Sequence, residues 1–196
     1  MLKRSIDILF SLTGLIILSP LLIFISIIIL PSSNGRIFYF QKRVGKGNKN
    51  FTLFKFKTMI SGSDQKGLIT VGGRDPRITS VGYYLRKYKL DELPQLVNVL
   101  FGTMSLVGPR PEVRHYVDLY TTEQKEVLKV KPGITDYASL EYFNENELLA
   151  QSTNPEETYI KIVMPVKLEL NKKYISEAGL INDFKIILRT IKRIMS

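Results

Sequence analysis

The sequence predicts an α+β protein, mainly α. A re-entrant N-terminal membrane segment of helix-break-helix form precedes one domain holding a small β-hairpin and interfacial amphipathic helices. Three observations carry that expectation. Residues 8–30 run for 23 positions without a charge, interrupted near the midpoint by Ser19-Pro20. Two aromatic-rich runs, 36–41 and 50–58, flank the turn-forming stretch Gly45-Lys-Gly-Asn-Lys-Asn50. Apolar residues recur at helical spacing over 78–89, 93–100 and 180–195, the last with basic residues beside the apolar stripe.

At about 1.5 Å per residue, the N-terminal run is long enough to span a bilayer core of about 30 Å. Proline removes a backbone donor and clashes with the preceding turn, so Pro20 predicts two short helices meeting at a bend. Neither half would cross alone, which predicts a segment that enters one leaflet and returns; a kinked single-pass helix is the alternative. Flanking charge favours re-entry. Lys3 and Arg4 precede the run, while Arg36, Lys42, Arg43, Lys46 and Lys49 follow it, with no acid between Pro31 and Lys57. A single pass predicts basic residues on one side. The stretch after Leu30 lacks the small-x-small pattern of a cleaved signal. Residues 1–33 are therefore assigned to the anchor and 34–196 to one domain. Asp7 stands at the edge of the apolar run, and Arg4, one turn earlier, is its predicted partner in a Lys3-Arg4-Asp7 staple at the interface.

The formal charge of +10 is unevenly placed: residues 1–63 hold nine Lys/Arg against Asp7, and the rest holds nineteen against seventeen acids. Basicity beside the anchor suits anionic phospholipid headgroups or phosphate ligands. A nucleic-acid binder would spread its charge over the domain, so no nucleic-acid partner is expected. With no cysteine and only His115, thiolate metal sites, thiol nucleophiles and disulfides are excluded, and any metal must be held by oxygen.

In the second aromatic run, Lys55 and Lys57 alternate with Phe54 and Phe56, giving a lysine face that is either solvated or able to receive phosphate. Residues 61–77 are Gly- and Asp-rich and end in Gly72-Gly-Arg74-Asp-Pro-Arg77, a connector or a cationic lid. Asp91 and Glu92 precede Pro94, a residue suited to a first helical turn. The pair is either ordinary helix-start chemistry or a hard-cation site for Mg²⁺ in which one carboxylate attacks phosphorus. Arg86 and Arg110 are then the cations that neutralise a phosphoryl group. Pro109 and Pro111 stiffen Arg110, giving a phosphate clamp or a rigid turn. The acidic stretch 141–147 reads as a solvated loop. Residues 180–195 read as an amphipathic helix lying in the headgroup layer or packed on the core.

The ordered pieces Lys3-Arg4-x-x-Asp7, Ser19-Pro20, Phe54-Lys-Phe-Lys-Thr-Met59, Asp75-Pro-Arg-Ile-Thr79, Leu85-Arg86, Leu90-Asp-Glu-Leu-Pro-Gln-Leu-x-Asn98, Met104-Ser105, Gly108-Pro-Arg-Pro111, Lys131-Pro-Gly-Ile-Thr135 and Asp183-x-Lys185 cover nearly the whole chain. In these the chain resembles the monotopic phosphoglycosyl transferases, the bacterial sugar transferase family. The resemblance implies a cytoplasmic-face active site on the bacterial inner membrane, with a UDP-sugar donor and polyprenol phosphate (undecaprenyl phosphate) as acceptor. It implies that Asp91 forms a covalent phosphosugar intermediate with release of UMP, and that Asp91 and Glu92 hold Mg²⁺. Arg86, Arg110, Lys57, Thr58 and Arg74 are then substrate-binding, and Lys3, Arg4, Asp7, Ser19 and Pro20 belong to the membrane segment. A homodimer is left open. The chain departs from the family pattern at Asp136, at Phe143 where an arginine aligns, and at Asn171 where an acid aligns, so the sugar is not fixed by analogy. A membrane-tethered scaffold without catalysis is the alternative; it would tolerate neutralising Asp91, Glu92 and Arg110.

Overall fold

The computed structural model describes residues 2–63, 67, 69–73 and 75–195. Helix α1 (Leu2–Ile29) leads through a 3-10 turn into an antiparallel hairpin of β1 (Phe38–Val44) and β2 (Asn50–Phe56), in which Tyr39 pairs with Lys55 and Phe40 with Phe54. There follow α2 (Ser80–Lys87), α3 (Gln95–Phe101), β3 (Ser105–Val107), α4 (Arg114–Val117), β4 (Gly133–Thr135), α5 (Tyr137–Glu141), α6 (Glu145–Ala150), α7 (Pro155–Thr158), α8 (Met164–Ser176) and α9 (Leu180–Met195). The mainly helical expectation and the hairpin hold. Strands β3 and β4 add a parallel pair that three-residue runs are too short to signal in sequence. Their approach requires glycine, because a Cβ on Gly133 would lie 2.1 Å from the Gly108 nitrogen.

Helix α1 corrects the predicted helix-break-helix: its 28 residues run unbroken through Pro20. Proline leaves the Ile16 carbonyl without its helical donor, and the Ser19 hydroxyl donates to that carbonyl at 2.8 Å. The adjacent serine thus repairs the defect that the proline introduces.

The predicted Arg4–Asp7 staple is also replaced. Arg4 donates to the carbonyls of Val99 (2.6 Å) and Leu100 (2.8 Å) near the end of α3, where helix carbonyls lack internal donors. Asp7, 4 % exposed, accepts from the Ser105 hydroxyl and the Leu106 amide, each at 3.1 Å. Lys3 pairs with Asp183 of α9 and donates to the Val107 carbonyl. Long-range partners outcompete the neighbour one turn away because they satisfy otherwise unpaired backbone groups.

At the other end of α1, Ile25 and Ile29 are buried with Phe56 and Leu85. Between the two ends, Leu9, Phe10, Ile16, Ile17, Ile23 and Phe24 are exposed. The stretch Leu2–Ser32 is long and apolar enough to cross a membrane by length and composition. A separate core gathers Val44, Val117, Leu149, Val163 and Leu168 beneath α4 and α8. Helix α9 packs on the core with one face and leaves a second apolar stripe exposed. Ile186 is fully buried against Val107 and Tyr174, while Ile181, Phe184, Leu188, Ile191 and Met195 form an exposed stripe spaced at three and four residues. The segment 141–147 is not a loop: it holds the end of α5 and the start of α6.

Candidate active site

Asp91 and Glu92 sit on a 3-10 turn, Leu90–Glu92, between α2 and α3. Lys89 enters that turn with φ +54°, a left-handed conformation that a lysine adopts only against a steric penalty. Pro94 caps α3 without any side-chain hydrogen bond, so the ordinary helix-start role does not explain the two acids.

Glu92 is 8 % exposed and saturated by cations. Its Oε1 accepts from Lys55 Nζ at 2.9 Å and from Arg110 Nη2, and its Oε2 accepts from Arg110 Nη1 at 3.0 Å. This is the planar two-bond fit that guanidinium makes with carboxylate. Burial pushes the Glu92 carboxyl up, but the charges of Arg110 and Lys55 outweigh it and hold the group well below its ordinary value. Burial likewise lowers Lys55, against the pull of Glu92. Lys55 is only 16 % exposed at its side chain, so the lysine face of β2 is not a solvated one.

Asp91 is different. At 6 % exposure it is as buried as its neighbour, yet among the described residues none donates a hydrogen bond to its carboxylate or pairs with it. Burial pushes its carboxyl above the ordinary value, Lys55 opposes, and the Glu92 charge adds to the rise. A buried, unpartnered carboxylate beside a saturated one is a group kept for something outside the chain.

Arg86 faces the same cleft with its charge unneutralised by a carboxylate in direct contact. Its Nε donates to Thr58 Oγ1 at 2.9 Å and its Nη1 to Thr70 Oγ1 at 3.2 Å. Burial lowers it from its ordinary value, with Asp91 pulling the other way. Thr58 therefore acts by holding Arg86. That contact depends on Gly82, whose added Cβ would stand 2.1 Å from the Thr58 carbonyl oxygen. Lys57 lines the cleft but donates to the Ser33 carbonyl (3.0 Å) and Ser61 Oγ (2.7 Å). Arg74 lies outside the described residues. Arg77 forks onto Asp75, and that contact holds the Asp75 carboxyl down to about 2.

The residues that brace the clamp carry no local signal of that role in the sequence. Asp136, fully buried, accepts from the Arg110 amide at 3.2 Å and caps α5 through the Ser139 amide at 2.6 Å. On the far side of the same Pro-Arg-Pro loop, Glu112 takes Arg43 at 2.7 Å and Tyr159 OH at 2.5 Å, and Arg43 reaches the Pro111 carbonyl. Asn171, by contrast, has a buried Oδ1 with no partner. Lys55 was legible by alternation, but its choice over Lys57 was not.

Together these side chains line a cleft of about 1340 Å³. Among the described residues no group of three or more His, Cys, Asp or Glu could hold a metal ion. Magnesium is commonly held by one or two carboxylates with substrate phosphates completing the shell; Asp91 supplies one free carboxylate for such a set, and Glu92 could join it only by sharing Oε2 with Arg110. Uncompensated cations around a free carboxylate can accept a phosphorylated ligand and present its phosphorus to a nucleophile.

Comparison with known proteins points the same way. The family model for bacterial sugar transferases matches residues 1–196. The UDP-N-acetylgalactosamine-undecaprenyl-phosphate N-acetylgalactosaminephosphotransferase of Aeromonas hydrophila is 36 % identical over 99 % of the chain and 44 % of its own length. The UDP-glucose:undecaprenyl-phosphate glucose-1-phosphate transferase of Escherichia coli K12 is 34 % identical over 97 % of the chain and 39 % of its own. The chain thus spans less than half the length of these two relatives. Sugar transferase EpsL of Bacillus subtilis, 34 % identical, is matched over 99 % of the chain and 87 % of its own length. With the family model spanning every residue that frames Asp91, the chain belongs to the bacterial sugar transferase family.

Proposed function

We propose that the protein transfers a phosphosugar from a UDP-sugar to undecaprenyl phosphate, giving undecaprenyl-diphosphate-sugar and UMP. The names of its relatives support the general reaction. The observation that carries the mechanism is the unpartnered Asp91 carboxylate within reach of the Lys55 and Arg86 fields. In the first step an Asp91 oxygen attacks the sugar-linked phosphorus. The bond to the bridging diphosphate oxygen breaks, UMP leaves with the electron pair, and an aspartyl phosphosugar remains. In the second step an oxygen of the acceptor phosphate attacks that phosphorus, the bond to Asp91 breaks, and the carboxylate is restored. No proton need move in either step if the acceptor enters as the dianion.

Arg86 and Arg110 would bind phosphate oxygens, with Glu92 and Asp136 fixing the direction of Arg110. Asp91 and Glu92 would hold Mg²⁺, which when bound offsets the repulsion between carboxylate and diphosphate. Incubating purified protein with a UDP-sugar panel and Mg²⁺, without acceptor, tests the scheme. A burst of UMP and labelled phosphosugar retained on Asp91 are expected; UMP release that strictly requires the acceptor would sink the covalent step.

The anchor reading is re-entrant and cytoplasmic-face. Both ends of α1 rest on the same domain, Lys3 and Arg4 at one end and Ile25 and Ile29 at the other, which supports a helix whose two ends stay on one side of the bilayer. The exposed stripe of α9, flanked by Lys185, Arg189 and Lys192, supports contact with the headgroup layer. Cysteines placed singly at Leu2 and Asn34 should be labelled from the same side of sealed vesicles, and opposite accessibility would exclude re-entry.

A further inference from the structure

Around the Asp91–Glu92 pair, three cations have clear duties: Lys55 and Arg110 are spent largely on Glu92, and Arg86 is held by Thr58 and Thr70. A fourth, Lys89, has none. It is half-buried, lines the cleft, and makes no ion pair among the described residues. Its Nζ stands 4.9 Å from the centroid of the Phe143 ring, whose contacts also include Arg193 of α9 at 5.4 Å. A cation over an aromatic face is held in place without being neutralised. The backbone of Lys89 is left-handed, at φ +54°, two residues before Asp91. A lysine kept there against that conformational penalty, and carried on a ring, is a positioned charge whose field reaches Asp91 and Glu92 without a carboxylate in direct contact to neutralise it.

Part of the cleft lining is apolar. Phe10, Gly14 and Leu18 of α1 and Ile187, Ile191 and Ile194 of α9 line the same cleft. Phe10 is also exposed on the outer face of α1, and Ile191 belongs to the exposed stripe of α9. The apolar lining is therefore shared with the two surfaces best suited to lipid, and Lys89 and Phe143 line the same cleft.

We propose that Lys89, seated on Phe143, binds the terminal phosphate of the lipid acceptor while the α1–α9 wall takes the first isoprene units of its chain. This rests on the transferase reading above. The two substrates visit Asp91 in turn, so a second anion must approach a site that already holds a phosphosugar. The charge arithmetic of the second step calls for a further cation: an aspartyl phosphosugar with one negative charge meets a phosphate with two, and the products carry the same three. Lys55, Arg86 and Arg110 against Asp91 and Glu92 leave a surplus of one positive charge. Lys89 raises that surplus on the side from which a lipid enters.

The two half-reactions separate the acceptor from the donor. Wild type, K89G and K89R are reconstituted in nanodiscs and assayed with UDP-N-acetylgalactosamine and UDP-glucose, with and without undecaprenyl phosphate. Glycine suits the left-handed backbone, so K89G removes the charge while easing the conformation and keeps a loss of folding from explaining the result. The expected result is a rise of about tenfold or more in KM for undecaprenyl phosphate in K89G, recovery to within about threefold in K89R, and a UMP burst without acceptor within about twofold of wild type. F143L, which removes the ring and keeps apolar volume, should raise the same KM by a smaller factor. An unchanged acceptor KM in K89G overturns the proposal, as does a UMP burst that falls in proportion to turnover. Failure of wild type to release UMP from any UDP-sugar would overturn the transferase reading itself, and Lys89's role with it.

Discussion

Asp91→Asn and Glu92→Gln each exchange one carboxylate oxygen for an amide nitrogen, in side chains of nearly equal burial one residue apart, and they should move stability in opposite directions. Glu92 accepts three charge-assisted hydrogen bonds, two from Arg110 and one from Lys55. Removing one partner of a buried ion pair costs about 3–5 kcal/mol. The Arg110 side chain is 33 % exposed to the cleft, and discounting for solvent screening leaves about 2–3 kcal/mol for Glu92→Gln. For a chain of this size that lowers Tm by roughly 4–12 °C. Asp91 has no such partners to lose, and its ionised form is disfavoured by burial. Asp91→Asn should hold Tm or raise it, by about 0–1 kcal/mol, while abolishing turnover.

Thermal unfolding in nanodiscs across pH reads both effects, because the two groups have opposite linkage. The Asp91 value is raised above its ordinary 3.8, so its contribution is full below 3.8 and is lost as pH rises through the folded value. The Glu92 value is depressed below 4.5, so its contribution is full above 4.5 and is lost as pH falls through the folded value. The advantage of Asp91→Asn over wild type should therefore appear at neutral pH and vanish in acid, and the deficit of Glu92→Gln should shrink in acid. A Tm for Asp91→Asn as low as that of Glu92→Gln would refute the assignment of an unpartnered carboxylate at position 91.

Three further outcomes are expected. Gly82→Ala forces a Cβ against the Thr58 carbonyl and should destabilise by about 3 kcal/mol or more, read as a lower Tm, with phosphate affinity falling as Thr58 releases Arg86. Ser19→Ala leaves the Ile16 carbonyl without its hydroxyl donor and should cost about 1 kcal/mol, measured by thermal unfolding in nanodiscs, whereas Ser19→Thr should be nearly neutral. Asp136→Ala uncaps α5 at a cost of about 1 kcal/mol and frees the Arg110 backbone, so kcat should fall by about tenfold while the acceptor KM is held.

The sequence made the chemistry of the site more legible than its bracing. Asp91, Glu92, Arg86 and Arg110 were found from charge, helix punctuation and proline placement, all of which are local, and the fold brings them to one cleft. The choice of Lys55 over Lys57 was not local. It depends on β2 ending at Phe56 and on the Leu90–Glu92 turn presenting Glu92 to the hairpin. Asp136 drew notice only as a departure from a pattern, because a cap that also holds a loop 26 residues away is invisible along the chain. The membrane segment failed in a different way. Proline signals the donor that it removes, whereas the neighbouring serine, whose hydroxyl reaches the same carbonyl at 2.8 Å once the helix forms, gives no separate signal of that repair. Arg4 and Asp7 were paired by spacing, a rule for isolated helices that lapses once a second element offers unpaired carbonyls.

Those anchor contacts also bear on catalysis. Helix α3 begins directly after the Asp91–Glu92 turn, and its far end is gripped by Arg4. Strand β3 leads into the Pro-Arg-Pro loop, and Asp7 holds its start through Ser105 and Leu106. Lys3 joins β3 to α9 through Val107 and Asp183, and Tyr174 donates to the same two groups. Three residues in the first two turns of α1 thus fix the two backbones that carry Asp91 and Arg110 and the helix whose Ile187 and Ile191 wall the cleft. A rigid clamp requires fixed supports, since small displacements of a phosphate-binding guanidinium erode the orientation on which transfer depends. Helix α1 is accordingly part of the framework of the cleft, and under the proposed mechanism an Arg4→Ala protein that stays membrane-bound should still lose activity because α3, and with it the turn that carries Asp91, has lost its brace.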